Sequence, residues 1–245
     1  MTEFDCETAE STIQSLAALT NVDADDIRLG LTTWKYRNFE SFAQRRGVGG
    51  YDVAREELWR RVIGTDTKPV PSLICWFHAT RVLPGTDFSE GLLPLPTMVP
   101  VLIEALRKYG IRRRSNAGSF ARGAHQRKME FRGSWGPFGH LVKEASFSSA
   151  QDHFFRAPEA VVDLGFDLRA FRAATVPCIV KFRASEPRED VPALALFYAY
   201  LAIWGHPADW DCSTTWSGEG TAVPPEDILR IEFLDPALFA VEEDE

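Results

Sequence analysis

The segment TDTKPVP, residues 65–71, separates two parts of the chain that have different hydrophobic patterns. Before it, ETAESTIQSLAAL, NVDADDIRLGL and YDVAREELWRRVIG place apolar residues on one side of a helical turn, which predicts helices. After it, short apolar runs such as LICWF, TVPCIVKF and ILRIEF are bounded by Pro, Gly and Ser, which predicts strands. We therefore expect an α+β fold, with a helical N-terminal region over residues 1–66 and a second domain over residues 67–240.

Composition limits the class of protein. Hydrophobic residues make up 45% of the 245 positions, so the chain can form a full core. The net charge of -8 argues against a surface that binds nucleic acid or acidic membrane over its whole extent. Cys75 and Cys178 lie inside apolar runs and are expected to be buried thiols. The cysteines and histidines do not recur at metal-ligand spacing, so no metal is expected.

No membrane segment is expected. The longest apolar run, residues 193–204, is shorter than the ~20 residues that a bilayer-spanning helix needs. The N-terminal MTEFDCETAE is acidic and lacks the apolar stretch of a secretory signal. These features predict a soluble, cytoplasmic protein.

Residues 110–139 reverse the charge of the chain. The segment is also rich in Gly and Ser, which predicts a long loop. One interpretation is a charged loop in solvent; the other is a docking surface for a phosphate-bearing ligand or partner, including nucleic acid. Its single acid is Glu130, and its seven basic residues are Arg112, Arg113, Arg114, Arg122, Arg127, Lys128 and Arg132.

A predicted strand, Leu73–Phe77, runs directly into the polar sequence His78-Ala79-Thr80-Arg81. Because side chains alternate along a strand, His78 and Thr80 are expected on the same face. Together with Arg81 they form a donor-rich patch that suits ribose hydroxyls, an amide or a phosphate. A histidine that only makes a structural hydrogen bond is the alternative interpretation.

The phrase FHATR followed by FSEGLLP resembles the first motif of the NAD-dependent ADP-ribosyltransferases. The resemblance implies a split antiparallel β-sandwich with flanking helices. It also implies that His78 and Thr80 bind NAD, with Arg81 beside them, and that the backbone of Ala79 holds the nicotinamide amide. Ala79 replaces the glycine that is commoner in this family, which is compatible only with a backbone that does not need a positive φ.

The phrase ASFSSAQDHFF is similar to the second motif of the same family. The resemblance implies that Phe147 stacks on nicotinamide, where the family usually has tyrosine. It also implies that Ser148 or Ser149 caps the helix that follows. Phe147 as an ordinary core residue is the alternative.

The phrase WSGEGTAVPPEDILRIEFL resembles the third motif. The resemblance implies that Glu219 is the carboxylate that stabilises the transition state, with Glu226 as its rival. Ser217 occupies the position where arginine-modifying members carry a second Glu or Gln, so modification of arginine is disfavoured. A solvated loop carboxylate is the alternative interpretation of Glu219.

The resemblance as a whole implies an enzyme that consumes NAD as a substrate without a metal. It would transfer ADP-ribose to a macromolecular acceptor, protein or nucleic acid, and release nicotinamide, or it would hydrolyse NAD. Such a glycosyltransferase is compatible with a toxin. The alternative is a non-catalytic module on the same fold that binds a nucleotide or a partner. An NAD-consuming RNA 2′-phosphotransferase ranks last, because its characteristic motifs are not evident.

Overall fold

The structure is a computed structural model that describes residues 3–114, 119–148, 152–208 and 210–239. The chain has a mixed α+β fold with a five-stranded antiparallel sheet, which confirms the α+β prediction. The strands follow the order β4-β2-β1-β3-β5, so that β1 is central. Their bounds are β1 Ile74–Val82, β2 Phe138–His140, β3 Val176–Ala184, β4 Thr215–Ser217 and β5 Ile228–Phe233.

The predicted N-terminal helices are present as α1, α2 and α4, but α3 was not predicted. Helix α3 buries Phe39 and Ala43, which lie four residues apart on one face of the helix. The α-helices are α1 Ala9–Thr20, α2 Ala24–Thr33, α3 Tyr36–Arg46, α4 Gly50–Ile63, α5 Leu95–Lys108, α6 Ser119–Glu130, α7 His153–Arg156, α8 Glu159–Asp163, α9 Leu168–Ala174 and α10 Val191–Ile203.

Contacts between Cα atoms divide the chain into two compact units. Unit 1 comprises Met1–Trp76, His140–Ser148 and Arg183–Thr215. Its centre is α10, which packs against α1, α2 and α4. Nearly every residue of α10 is buried, as expected for a core helix that is apolar all round. None of the helices in the described ranges is long and apolar enough to cross a membrane.

Unit 2 comprises Phe77–Gly139, Ser149–Phe182 and Trp216–Glu245. One core cluster, which includes Leu106, Val161 and Phe171, joins α5, α8 and α9. A smaller cluster packs Phe77 and Ala79 of β1 against α7 and β3. Strands β3 and β5 pair antiparallel, with Val180 opposite Ile231. These elements support the loops that line the site described below.

Two local predictions differ from the structure. Residues 119–130, within the predicted loop, form helix α6, because the helix formers of ARGAHQRKME outweigh the neighbouring Gly and Ser. Ser148, one of the two residues predicted to cap the next helix, instead ends a 3-10 turn formed by residues 144–147. The residue that precedes α7 is Asp152, and Ser149 lies outside the described residues. The phrase DFSEGLLP of the first motif contains a turn, and the next helix begins at Leu95.

All four cysteines are buried, and none of them forms a disulfide bond. The predicted burial of Cys75 and Cys178 is therefore confirmed, with exposures of 1% and 0%. Both lie on central strands, β1 and β3, where a small apolar thiol packs well.

Candidate functional site

Unit 2 contains a cavity of about 440 Å³. This volume falls in the ~300–1,000 Å³ range of small-molecule sites. Its walls are the end of β1, the loop of residues 83–93, one side of α5, residues 134–138 and the region of α8. Most lining side chains are apolar or aromatic, including Met98, Trp135, Phe138 and Phe154.

The end of β1 brings polar groups to this cavity. His78, Thr80 and Val82 are half-buried, and they alternate with the more deeply buried Ala79 and Arg81. The strand therefore places His78 and Thr80 on one face, as their two-residue spacing predicts, and both line the cavity. A hydroxyl and an imidazole thus lie next to each other in a largely apolar wall.

The orientation of the His78 ring is fixed by the backbone of β2. Its Nδ1 lies 2.7 Å from the carbonyl oxygen of Phe138. Because a carbonyl oxygen only accepts, Nδ1 carries the proton and Nε2 is the remaining acceptor of the neutral ring. Burial lowers the pKa of His78, although the hydrogen bond to Phe138 opposes this shift. At neutral pH the cavity therefore meets an uncharged imidazole.

Arg81, predicted to bind ligand, is bonded within the protein. It is 5% exposed, and its Nε donates to Oγ1 of Thr175 at 3.0 Å. Its other nitrogens donate to the carbonyl groups of Phe155, Arg172 and Thr175 at 2.7, 3.0 and 2.8 Å. These four bonds use most of the five donors of a guanidinium. Arg81 thus ties α7 and α9 to β1, and little of it is left for a ligand.

The backbone of Ala79 meets the condition for replacing the family's glycine, which is that no positive φ is needed. It lies within β1 and is not among the residues with a positive φ. Its methyl group packs with Phe77, Phe155 and Ile179, on the side of the strand away from the polar pair. A glycine is therefore unnecessary at this position.

Glu219 occupies a tight turn with a left-handed backbone. Its φ is +47° and that of Gly220 is +88°, and the amide of Thr221 donates to the carbonyl of Gly218 at 2.8 Å. Two consecutive positive φ angles define a type I′ turn. The carboxylate is exposed and is not among the groups that line the cavity.

The turn is nevertheless attached to the cavity wall. The amides of Gly218 and Gly220 donate to the carbonyl groups of Pro137 and Gly136 at 2.9 and 3.1 Å. The Nε of Arg132 donates to the carbonyl of Glu219 at 2.7 Å. Since Phe138 holds His78, the segment Trp135–Phe138 connects both residues that the sequence singled out. This wall segment, from SWGPFG, lies within the basic segment 110–139, but no contact with His78 or with the Glu219 turn was predicted for it.

The charges that line the cavity are mostly negative. Four carboxylates, Asp87, Glu90, Glu159 and Asp163, face two cations, Arg81 and Lys128. Lys128 is engaged, because its Nζ lies 2.8 Å from Glu159 and 2.7 Å from Asp163. Burial opposes its charge, but the bonds to Asp163 and Glu159 outweigh it and raise the pKa of Lys128.

Two of the lining carboxylates, Asp87 and Glu90, lie on the loop of residues 83–93. The amide of Ser89 donates to Asp87 at 3.0 Å and lowers the pKa of that carboxyl. Glu90 is exposed and makes no ion pair among the described residues. The same loop contains Phe88 at a φ of +54°, a strained conformation for an aromatic residue. In the sequence, this part of the site was indicated only by the motif FSEGLLP, in which Glu90 precedes Gly91 and Leu92.

The remaining predicted site residues lie elsewhere. Phe147 and Ser148 belong to unit 1 and do not line the cavity of unit 2. Glu226 is exposed on a 3-10 turn, Pro225–Asp227, which follows the bridge between Val223 and Leu92. Among the described residues, no group of three His, Cys, Asp or Glu side chains could hold a metal ion.

Comparison of the chain with protein-family models, with curated proteins and with solved structures gives no match. The resemblance to ADP-ribosyltransferases therefore depends on the motifs themselves and on where the structure places them.

Proposed function

We propose that unit 2 binds NAD in this cavity and breaks the bond between nicotinamide and ribose, on a sheet of the split ADP-ribosyltransferase type. The observation that carries the proposal is the placement of His78 and Thr80. They lie side by side on β1, at one cavity of suitable volume, with the His78 ring fixed through Nδ1. Nε2 and the Thr80 hydroxyl would then bind the hydroxyl groups of the nicotinamide ribose.

The charge of the lining supports a cationic ligand. The nicotinamide ring of NAD is a pyridinium, and Asp87 and Glu90 give the cavity an excess of negative charge. The neutral His78 does not repel this ring. The apolar and aromatic wall, which includes Trp135, offers flat surfaces for it.

In the proposed reaction the glycosidic C–N bond breaks and its electron pair leaves with nicotinamide. The ribose carbon becomes an oxocarbenium-like centre, as in glycoside cleavage. The carboxylate of Glu219 would stabilise this cation and accept the proton of the attacking nucleophile. The nucleophile is water in hydrolysis and an acceptor hydroxyl or amine in transfer. The attachment of the Glu219 turn to Gly136 and Pro137 supports this assignment.

Two other carboxylates compete for the same task. Glu90 lines the cavity itself, whereas Glu219 only borders its wall. Glu226, the rival named from the sequence, is farther along the chain on an exposed turn. The comparison of Glu219→Gln with Glu90→Gln decides which carboxylate acts, because each change removes the charge and keeps the size.

The test incubates the purified protein with NAD, with and without cell extract as a source of acceptor, and measures free nicotinamide by chromatography. We expect Glu219→Gln to reduce release by about 100-fold or more. Glu104→Gln is the matched control, since Glu104 is exposed on α5 and pairs only with Lys108. The absence of nicotinamide under both conditions, together with no binding of NAD in calorimetry, would overturn the proposal.

A second candidate function is recognition without catalysis. The observation that favours it is the position of the charged groups: Glu219 does not line the cavity, and both lining cations, Arg81 and Lys128, are bonded within the protein. A pyrophosphate would therefore find no unpaired cation among the described residues of the lining. NAD or a related nucleotide that binds in calorimetry, without product after prolonged incubation, would establish this alternative.

A further inference from the structure

A second cavity of unit 2, about 400 Å³ in volume, lies where α5 ends. Three of its lining residues are arginines, namely Arg107 in the last turn of α5 and Arg112 and Arg113 after it. The rest of the lining is uncharged and mainly apolar, and includes Ile111 and Phe166. None of the described residues that line this cavity carries a carboxylate, in contrast to the first cavity.

The three guanidinium groups have no carboxylate partner among the described residues. Other arginines of this acidic chain form ion pairs, as Arg188 does with Asp190 at 2.7 Å. The negative end of the α5 dipole stabilises the charge of Arg107, which lies in the last turn of the helix. It does not account for Arg112 and Arg113, because these two residues follow the helix. Three like charges around one cavity, on a chain of net charge -8, give a local positive field that no ion pair among the described residues neutralises.

The backbone that carries these arginines is fixed. The amide of Asp167 donates to the carbonyl of Arg112 at 3.0 Å, and the amide of Arg114 donates to the carbonyl of Gly165 at 2.8 Å. The Arg113 guanidinium lies over the ring of Phe166, 5.4 Å from its centre. Phe166 is itself 3% exposed and belongs to the core. A positive group on such a support needs little ordering when an anion binds.

We propose that this second cavity is a binding site for a phosphate group. The planar fork of arginine matches phosphate oxygens bidentately, and guanidinium groups dominate phosphate recognition in proteins. The phosphate belongs either to a free nucleotide or to a nucleic-acid strand. The proposal does not depend on NAD cleavage in the first cavity.

The test uses pyrophosphate in calorimetry and a short fluorescein-labelled single-stranded RNA in anisotropy. The variant Arg107→Gln/Arg112→Gln removes two of the three groups and keeps Arg113, which packs on Phe166. The control Arg169→Gln/Arg230→Gln removes the same charge from elsewhere in unit 2. We expect the first variant to weaken binding by about tenfold or more, and the control by less than about threefold.

Two results support the site and identify the source of the phosphate. Loss of pyrophosphate binding alone indicates a free nucleotide. Loss of RNA binding as well indicates a nucleic-acid strand. In that case the slope of the logarithm of the RNA binding constant against the logarithm of the salt concentration should become smaller by about 1.4, because two phosphate contacts are lost. The proposal is overturned if neither probe binds the unmodified protein, or if both double variants weaken binding equally. Nicotinamide release is measured in parallel and should be unchanged in Arg107→Gln/Arg112→Gln.

Discussion

The imidazole of His78 and the carbonyl group of Phe138 are joined by a hydrogen bond of 2.7 Å between Nδ1 and oxygen. Phe138 follows Pro137, whose carbonyl accepts from Gly218 in the turn that carries Glu219. One short segment of the cavity wall is therefore connected to both predicted residues. Because the bond assigns the proton of His78 to Nδ1, the state of the ring depends on pH in a testable way.

We expect stability to fall when the pH drops from about 7 to about 5, in part because of His78. Burial lowers the pKa of His78 in the folded protein below its ordinary value of about 6.5. Below that value the unfolded chain takes up a proton that the folded chain resists, so unfolding becomes easier as pH falls toward the folded pKa. Urea unfolding at several pH values measures the effect.

The matched variant is His78→Asn, whose side-chain amide can still donate to the Phe138 carbonyl but does not titrate. This variant should lose less unfolding free energy than the unmodified protein over the same pH range. The control is His206→Gln, which removes a histidine of unit 1 that stacks on Tyr36. An identical pH dependence in His78→Asn and the unmodified protein would show that His78 does not contribute.

Arg81 is expected to stabilise the fold rather than to bind ligand. Replacement by Gln removes bonds to three backbone carbonyls and to Thr175, which would remain buried without these partners. We expect Arg81→Gln to lower the free energy of unfolding by about 3–5 kcal/mol. Arg230→Gln, at an exposed position of β5, should cost less than about 1 kcal/mol.

Urea unfolding of the two variants provides the comparison. A ligand-binding role without a structural one would give the opposite pattern. Arg81→Gln would then unfold like the unmodified protein and only lose affinity for NAD.

The sequence was sufficient to predict those features of the site that depend only on residues next to each other in the chain. An apolar run that ends in a polar triplet predicted β1 and the common face of His78 and Thr80, because alternation along a strand depends only on neighbouring residues. The partners of Arg81 could not be predicted in this way. Phe155, Arg172 and Thr175 are brought to Arg81 by the tertiary fold, and nothing in FHATR distinguishes a buried arginine from one that faces a ligand.

The cavity wall illustrates the same limit. Segment Trp135–Phe138 has no regular hydrophobic period, and its importance lies in hydrogen bonds to β1 and to the Glu219 turn. Glu90 was part of the first motif, but only the folded loop places it at the cavity. The helix α6 was missed because its flanking Gly and Ser residues are typical of loops, although its interior favours a helix.

We expect that replacing Gly91 of the SEGL turn by alanine strongly destabilises the protein. Its φ is +79°, and a Cβ at this position would lie 2.0 Å from the carbonyl oxygen of Val223. That carbonyl accepts the amide of Leu92 at 2.9 Å, so the clash would disrupt the bridge between the two segments. We expect Gly91→Ala to cost about 3 kcal/mol or more in unfolding free energy.

Gly85 is the matched control for Gly91. Its φ of +86° is similar, but a Cβ there would meet nothing within 4 Å. Gly85→Ala should therefore cost only the backbone strain, about 1–2 kcal/mol. Equal losses for both alanine variants, measured by urea unfolding, would show that the contact with Val223 is unimportant.

We expect the variant Glu219→Gly to be more stable and less active than the unmodified protein. A non-glycine residue at a φ of +47° is strained by about 1–2 kcal/mol, and its exposed side chain makes no hydrogen bond or ion pair among the described residues. Glycine relieves the strain but gains freedom in the unfolded chain, which leaves about 0.5–1 kcal/mol of net stabilisation. If the carboxylate acts on NAD, the same change abolishes nicotinamide release.

Asn21→Gly provides the comparison for this last prediction. Asn21 ends α1 at a φ of +59°, but asparagine tolerates that conformation, so its replacement should change stability by less than about 0.5 kcal/mol. Urea unfolding and nicotinamide release are measured on the same samples. A gain in stability with a loss of turnover is the pattern of a residue kept for function. A loss of stability in Glu219→Gly would instead show that the side chain supports the turn.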